Sequence, residues 1–166
     1  LNSDDGLRPG ERAVACPEKF DAGLTFIGRI RTPWRERAQC PHRGSLDGPL
    51  CRIEIFDPWR DALWGVPELP RLEVFYWLHE SRRDLVLQTP RRDGVTRGTF
   101  ALRSPVRPNP IGTSVVALEA IEDGTLLVRG LDCLDGTPLI DLKPERGARH
   151  TGAPAPTTEA MLGHAP

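Results

Sequence analysis

Three segments of this sequence hold side chains that bind anions or move protons. The first runs from Arg97 to Gly112 and sets Arg103, Arg107 and Asn109 among Pro105, Pro108 and Pro110. Each proline fixes its own φ and disfavours helix in the residue before it, so Ser104, Arg107 and Asn109 are held extended. A loop that is stiff before any ligand arrives presents its two guanidiniums at small ordering cost. The second segment is Gly130–Pro144, where Asp135-Gly136-Thr137-Pro138 is a turn signal after a strand. Such a turn exposes consecutive backbone N–H groups and one carboxylate. The third is His79-Glu80, where the apolar stretch Leu72–Leu78 gives way to an arginine-rich turn. A histidine there serves either as an acid–base group or as a plain turn residue.

Other chemistries are disfavoured by spacing. Asp132, Asp135 and Asp141 lack the offsets of a calcium loop, and Cys40, His42 and Cys51 match no common zinc site, so no metal is expected. The four cysteines, at 16, 40, 51 and 133, contain no CxxC pair and do not cluster. That argues against a secreted disulfide framework, and nothing ties any of them to a histidine as a nucleophile. Neither GxGxxG nor GxxxxGK[ST] occurs, so a cofactor would have to sit outside a doubly wound fold.

The elements that must position these groups are short and strand-like. Strands are predicted over 24–30, 50–56, 72–78, 84–88, 98–103, 114–121 and 125–131, with an eighth at 138–142. Val115–Ile121 and Thr125–Val128 flank Asp123-Gly124, a strong hairpin signal. A single helix start is credible, with Asp57 as the cap and Pro58 at the first helical position. Seven or eight strands in about 120 residues predict a mainly β chain, a small barrel or sandwich with minor helix. Residues 1–22 read as a leader, 23–144 as the β domain, and 145–166 as a poorly ordered tail rich in proline, alanine, glycine and threonine.

Composition fits one domain of 166 residues with 22 basic and 23 acidic side chains, a net charge of −1. Glycine (16) and proline (17) are in excess, which favours turns over long helices. No apolar run approaches the roughly 18 residues of a membrane span and no signal peptide is evident, so a cytoplasmic protein is expected. The near-zero charge conceals an uneven distribution. Residues 29–43 carry five arginines against Glu36, a balance of +4, and residues 82–107 carry seven arginines against two aspartates, a balance of +5. Lys19 and Lys143 are the only lysines, and arginine's planar fork suits phosphate. If the two segments meet, they form an anion-binding face.

Phe26–Trp34, Gly98–Gly112 and Leu131–Pro144 together resemble the three signatures of the TsaA-like (YaeB, TrmO) family, a resemblance spanning 24–144. It implies a small β-barrel, usually a homodimer, that binds S-adenosylmethionine and methylates N6 of threonylcarbamoyladenosine beside the tRNA anticodon. Carried over residue by residue, it implies a cofactor site of Arg43, Gly44, His79, Glu80, Arg107, Leu118, Cys133, Leu134, Asp135 and Gly136. Asp135 and His79 are the candidates for accepting or orienting the substrate proton. The tRNA anticodon stem-loop would meet Arg31, Arg35, Arg91, Arg92, Arg103 and Lys143. Trp34 and Tyr76 are candidate stacking surfaces, with Tyr76 also reading as core. The chain departs from the family pattern at Pro41-His42-Arg43, at Pro70-Arg71 and at Glu145. These departures bear on the acceptor rather than the cofactor. A methyltransferase of another substrate and a non-enzymatic barrel that binds RNA or a partner are the competing expectations.

Overall fold

Alternation of inward apolar and outward side chains builds the strands. In Arg71–Trp77, for example, Leu72, Val74 and Tyr76 are buried while the intervening residues are not. The structure is a computed structural model and describes residues 6–19 and 21–147. Among them nine strands form: β1 (Arg12–Ala13), β2 (Gly28–Arg31), β3 (Cys51–Ile55), β4 (Arg71–Trp77), β5 (Leu85–Gln88), β6 (Arg97–Gly98), β7 (Ile111–Glu122), β8 (Thr125–Arg129) and β9 (Pro138–Pro144). Among the described residues helix is confined to four 3-10 segments, Arg37–Gln39, Trp59–Leu63, Val66–Glu68 and Thr99–Ala101. The chain is mainly β with non-Rossmann sheets, and it divides into two compact units.

The larger unit comprises Leu24–Trp77 and Thr113–Pro166. Its six strands follow one another round a closed ring in the order β2-β3-β8-β7-β4-β9, and β9 returns to β2 through the Gly28↔Leu139 pairing. The registers Ile30↔Ile53 and Ile53↔Leu126 stack aliphatic side chains on the inner face. Ile30, Ile53, Val74, Val116, Leu126, Val128 and Leu139 have no exposed surface at all. Irregular register at Phe75/Tyr76 and at Leu118/Ala120 re-aims the side chains that follow. The expected hairpin joins β7 to β8: Asp123 and Gly124 both have positive φ (44° and 72°), as a type I′ turn requires, and Glu122 faces Thr125.

The smaller unit comprises Leu1–Gly23 and Leu78–Gly112, and its sheet has the order β1-β5-β6. Polar bonds hold it. The Glu11 carboxylate accepts from the Arg8 guanidinium (2.6 Å), the Arg8 N–H (3.0 Å) and the Thr89 N–H (3.1 Å).

Several expectations need correction. The strand at 98–103 is only Arg97–Gly98, because Thr99–Ala101 coils into a 3-10 turn around the buried Thr99 hydroxyl. The first long strand begins at Gly28, not at Leu24. The helix at Asp57 is a five-residue 3-10 segment with Pro58 itself at the cap position and no side-chain cap bond, since Asp57 pairs with Arg60 at 3.4 Å. Within the leader, Arg12–Ala13 pairs with β5. The expected tail lies, from residue 148 on, outside the described residues.

Candidate functional site

Asp132 organises one end of the larger unit. It follows β8, and its Oδ1 accepts hydrogen bonds from the Tyr76 phenol (2.7 Å) and the Ser114 hydroxyl (3.0 Å), which are themselves 2.9 Å apart. Its Oδ2 accepts from the Gly44 N–H at 3.2 Å. One carboxylate thereby ties β4, β7 and the segment after β8 to the Arg43-Gly44 turn. Gly44 must be glycine: a Cβ there would lie 1.7 Å from the Gly130 carbonyl oxygen, and Gly130 itself sits at φ 118°. Burial, reinforced by the Asp132 charge, pushes the Tyr76 phenol well above its ordinary range, so the ring is a fixed hydrogen-bond donor in the core and not a stacking surface.

Beside this turn lies a cavity of about 180 Å³ lined by Trp34, Gln39, Pro41, Arg43, Pro49 and Leu131. Trp34 is half-buried and Arg43 exposed, so the recess has apolar walls and a cationic rim. A flat or aliphatic group with an anionic end suits such a lining.

The Cys133–Gly136 turn packs against the end of β2. Thr32 donates its hydroxyl to the Cys133 carbonyl (2.9 Å) and its N–H to Asp135 Oδ1 (3.1 Å). Asp135 Oδ2 lies 3.3 Å from Arg35 and 4.0 Å from Arg31, so both carboxylate oxygens are engaged. The expectation that this turn exposes consecutive N–H groups fails at two positions. The Asp135 and Gly136 N–H groups donate to the carbonyls of Trp34 and Ile30, because the turn is docked on that strand rather than open. Cys133 is buried, which pushes its thiol far up; burial likewise raises Cys40 and takes Cys51 to about 11. None of the three is an activated nucleophile. Leu134 and Leu118 are half-buried.

The smaller unit contributes its expected residues separately. His79 Nε2 is 3.9 Å from Glu80 Oε1, and both side chains are accessible. Arg107 turns back on its own loop, donating to the carbonyls of Leu102 (2.7 Å) and Ser104 (3.3 Å), so it stiffens the segment that the prolines already restrict. Arg91, Arg92 and Arg103 are exposed and make no ion pair among the described residues. In the larger unit Arg31 is paired with Glu54 (3.1 Å) and Lys143 with Asp141. Asp132, Asp135 and Asp141 thus belong to three different networks. Among the described residues no three His, Cys, Asp or Glu side chains are grouped to hold a metal.

Two departures from the family pattern prove to be linked. Arg71 and Glu145 form an ion pair at 3.7 Å at neighbouring ends of β4 and β9. The Tyr76–Ser114–Asp132–Gly44 network was not evident from sequence, where Asp132 reads only as part of a motif or a stray metal ligand. The signal was a glycine beside an arginine with no turn chemistry of its own.

Fold and site together define a small, mainly β, non-Rossmann protein with a ligand-sized recess framed by a pinned glycine turn. The model of the tRNA-methyltransferase O N-terminal domain matches residues 29–146, and the chain belongs to that family. It is 57% identical over 148 residues to a probable S-adenosyl-L-methionine-binding protein, VirR, of Rhizobium radiobacter, covering 89% of this chain and 85% of that protein. It is 35% identical over 123 residues to a mouse tRNA (adenine(37)-N6)-methyltransferase, covering 72% of this chain and 28% of that enzyme. A crystal structure of TrmO from Pseudomonas aeruginosa superposes with a TM-score of 0.62 at 30% identity, over 81% of this chain and 63% of that one. The chain therefore spans less than two thirds of that solved structure and under a third of the mouse enzyme.

Proposed function

We propose that this chain is an S-adenosylmethionine-dependent methyltransferase acting on N6 of threonylcarbamoyladenosine beside the tRNA anticodon. The observation that carries this reading is the Asp132-anchored Arg43-Gly44 turn at the rim of an apolar recess, in a chain whose relatives are named for binding this cofactor. The residues fit the group. Arg43 matches its carboxylate, and Trp34, Pro41 and Leu131 offer apolar walls for a flat ring or methylene chain. Gly44, Leu118, Cys133, Leu134, Asp135 and Gly136 extend the proposed binding set within the larger unit, while the other expected residues, His79, Glu80 and Arg107, belong to the smaller unit. When bound, the cofactor supplies a methyl group on a cationic sulfur.

The protein's task is then alignment and proton management. The acceptor nitrogen is a weak nucleophile until it loses its proton. Asp135, whose oxygens are both bonded, and His79, whose ring is accessible, are our candidates for accepting or orienting that proton. Arg31, Arg35, Arg91, Arg92, Arg103 and Lys143 contact the RNA backbone. We further propose that the ring of strands is a small β-barrel, that the protein is a homodimer and that it works in the cytoplasm. The tRNA substrate supports that location, and no helix among the described residues is long and apolar enough to cross a membrane.

Calorimetry should detect S-adenosylmethionine binding that Arg43→Ala weakens by at least about tenfold, the loss of one charge-assisted hydrogen bond. Mass spectrometry of tRNA treated with protein and cofactor should show the methylated nucleoside. Binding without that product would reassign the acceptor, and absence of binding would end the methyltransferase reading.

A further inference from the structure

Among the described residues Phe100 is 82% exposed, whereas the next most exposed large apolar side chains, Trp64 and Leu24, reach 54% and 53%. It does not sit on a loose tip. It occupies the centre of the 3-10 turn Thr99–Ala101, which closes through the Leu102 N–H to the Thr99 carbonyl at 3.2 Å. Thr99 is buried, and its hydroxyl donates to the Leu85 carbonyl (2.7 Å) and accepts from the Gln88 amide (2.8 Å), which also donates to the Val106 carbonyl (2.7 Å). Arg107 ties down Leu102 and Ser104 on the far side. The backbone around Phe100 is thus fixed by buried polar bonds while its ring stands in water. Phe100 also lines a recess of about 140 Å³ together with Leu85, Val86, Ala101 and Pro108.

We propose that Phe100 is the stacking surface for an unpaired nucleobase of the RNA substrate, with Arg103 on an adjoining phosphate. The inference rests on the tRNA reading above and names the residue that would meet the loop. Single-stranded RNA is gripped by aromatic faces and guanidiniums, and a phenylalanine stacks on any base without hydrogen-bond readout. Charge decides the kind of partner. Residues 82–107 carry a balance of +5, and Arg91, Arg92 and Arg103 lack ion pairs among the described residues. A polyanion is attracted to that segment, whereas a second copy of the chain would bring the same arginines together.

The test uses an anticodon stem-loop with 2-aminopurine in the loop, a blunt, fully paired RNA duplex of equal charge, and S-adenosylmethionine. The native protein should quench the probe on binding. Phe100→Ala should weaken stem-loop binding roughly 5- to 150-fold and abolish the quench, with duplex binding, cofactor binding and melting temperature unchanged. Phe100→Tyr should restore both affinity and quench. Native stem-loop affinity in Phe100→Ala overturns this inference alone, as does equal loss toward stem-loop and duplex. A shift from dimer to monomer in Phe100→Ala would assign the ring to a copy–copy contact and overturn it as well. A native protein that binds no stem-loop removes the tRNA reading, and this inference with it.

Discussion

The two units of the molecule are held together by different physics. In the six-stranded ring, seven aliphatic residues from six strands are wholly buried, and their contribution is the non-directional exclusion of water. In the smaller unit the buried described residues are Leu85, Gln88, Thr99 and Pro110, so half of its interior is polar. Its shape is specified by directional bonds, Gln88 and Thr99 on one side of β5 and Glu11 with Arg8 and Thr89 on the other. The difference teaches that size of core and precision of display are separable. The ring supplies stability and the pinned turn, while the smaller unit spends few apolar side chains yet fixes the backbone that carries Phe100, Arg103 and Arg107.

The contrast is broken most forcefully in the ring. Leu126→Ala removes a fully buried side chain at the meeting of β3, β8 and the inner face, and should cost about 2–5 kcal/mol in denaturant unfolding. Amide protection should fall in every ring strand together. A loss confined to β8 would mean that the ring is not one cooperative core. Gln88→Ala should cost less, about 1–3 kcal/mol, because it removes the amide donor of the part-buried Val106 carbonyl and of the Thr99 hydroxyl, which keeps its bond to Leu85, rather than opening a large cavity. Hydrogen exchange should accelerate across residues 85–107 while the ring amides keep their protection. Equal acceleration in the ring would dissolve the distinction between the units.

Sequence patterns exposed the ring far better than the smaller unit, for reasons visible in single residues. Val115–Val128 announces its hairpin because β-branched strands flank Asp123-Gly124, and local rules suffice for a two-residue turn. Arg12–Ala13 announces nothing, since two residues carry no period and their pairing with β5 is decided some seventy residues away. Thr99–Ala101 carries strand-like residues, yet the Thr99 hydroxyl finds Leu85 and Gln88, and that tertiary bond outweighs local propensity. The candidate site divides the same way. The Arg107 loop and the Asp135 turn stand out through their local motifs, whereas the Asp132 network joins Gly44, Tyr76 and Ser114 across long stretches of chain. Exposure is the least legible property of all: nothing in the segment around Phe100 marks its ring as facing solvent, and only the fold turns it outward.

Acid provides the finest probe of the contrast. Partial burial works against the charged form of Glu11, but the hydrogen bonds from the Arg8 guanidinium, the Arg8 N–H and the Thr89 N–H outweigh it and hold the carboxyl at about 2, against an ordinary 4.5. Arg82 similarly holds Asp84 below its ordinary value. A carboxylate whose pKa is lower in the folded than in the unfolded chain stabilises the fold fully above the unfolded value. For Glu11 that contribution is complete above pH 4.5 and is lost as the pH falls toward 2. The Arg8 partner is 40% exposed, so solvent screens the pair and the effect should be on the order of 1 kcal/mol. Exchange rates measured from pH 7 downward, corrected for intrinsic chemistry, should show β1 and the Thr89 amide opening between pH 4.5 and 2 while the aliphatic ring keeps its protection. Glu11→Gln should open the same amides at pH 7 and flatten their pH dependence. If Glu11→Gln left both unchanged, the smaller unit would owe its shape to packing after all, and the contrast with the ring would reduce to one of size.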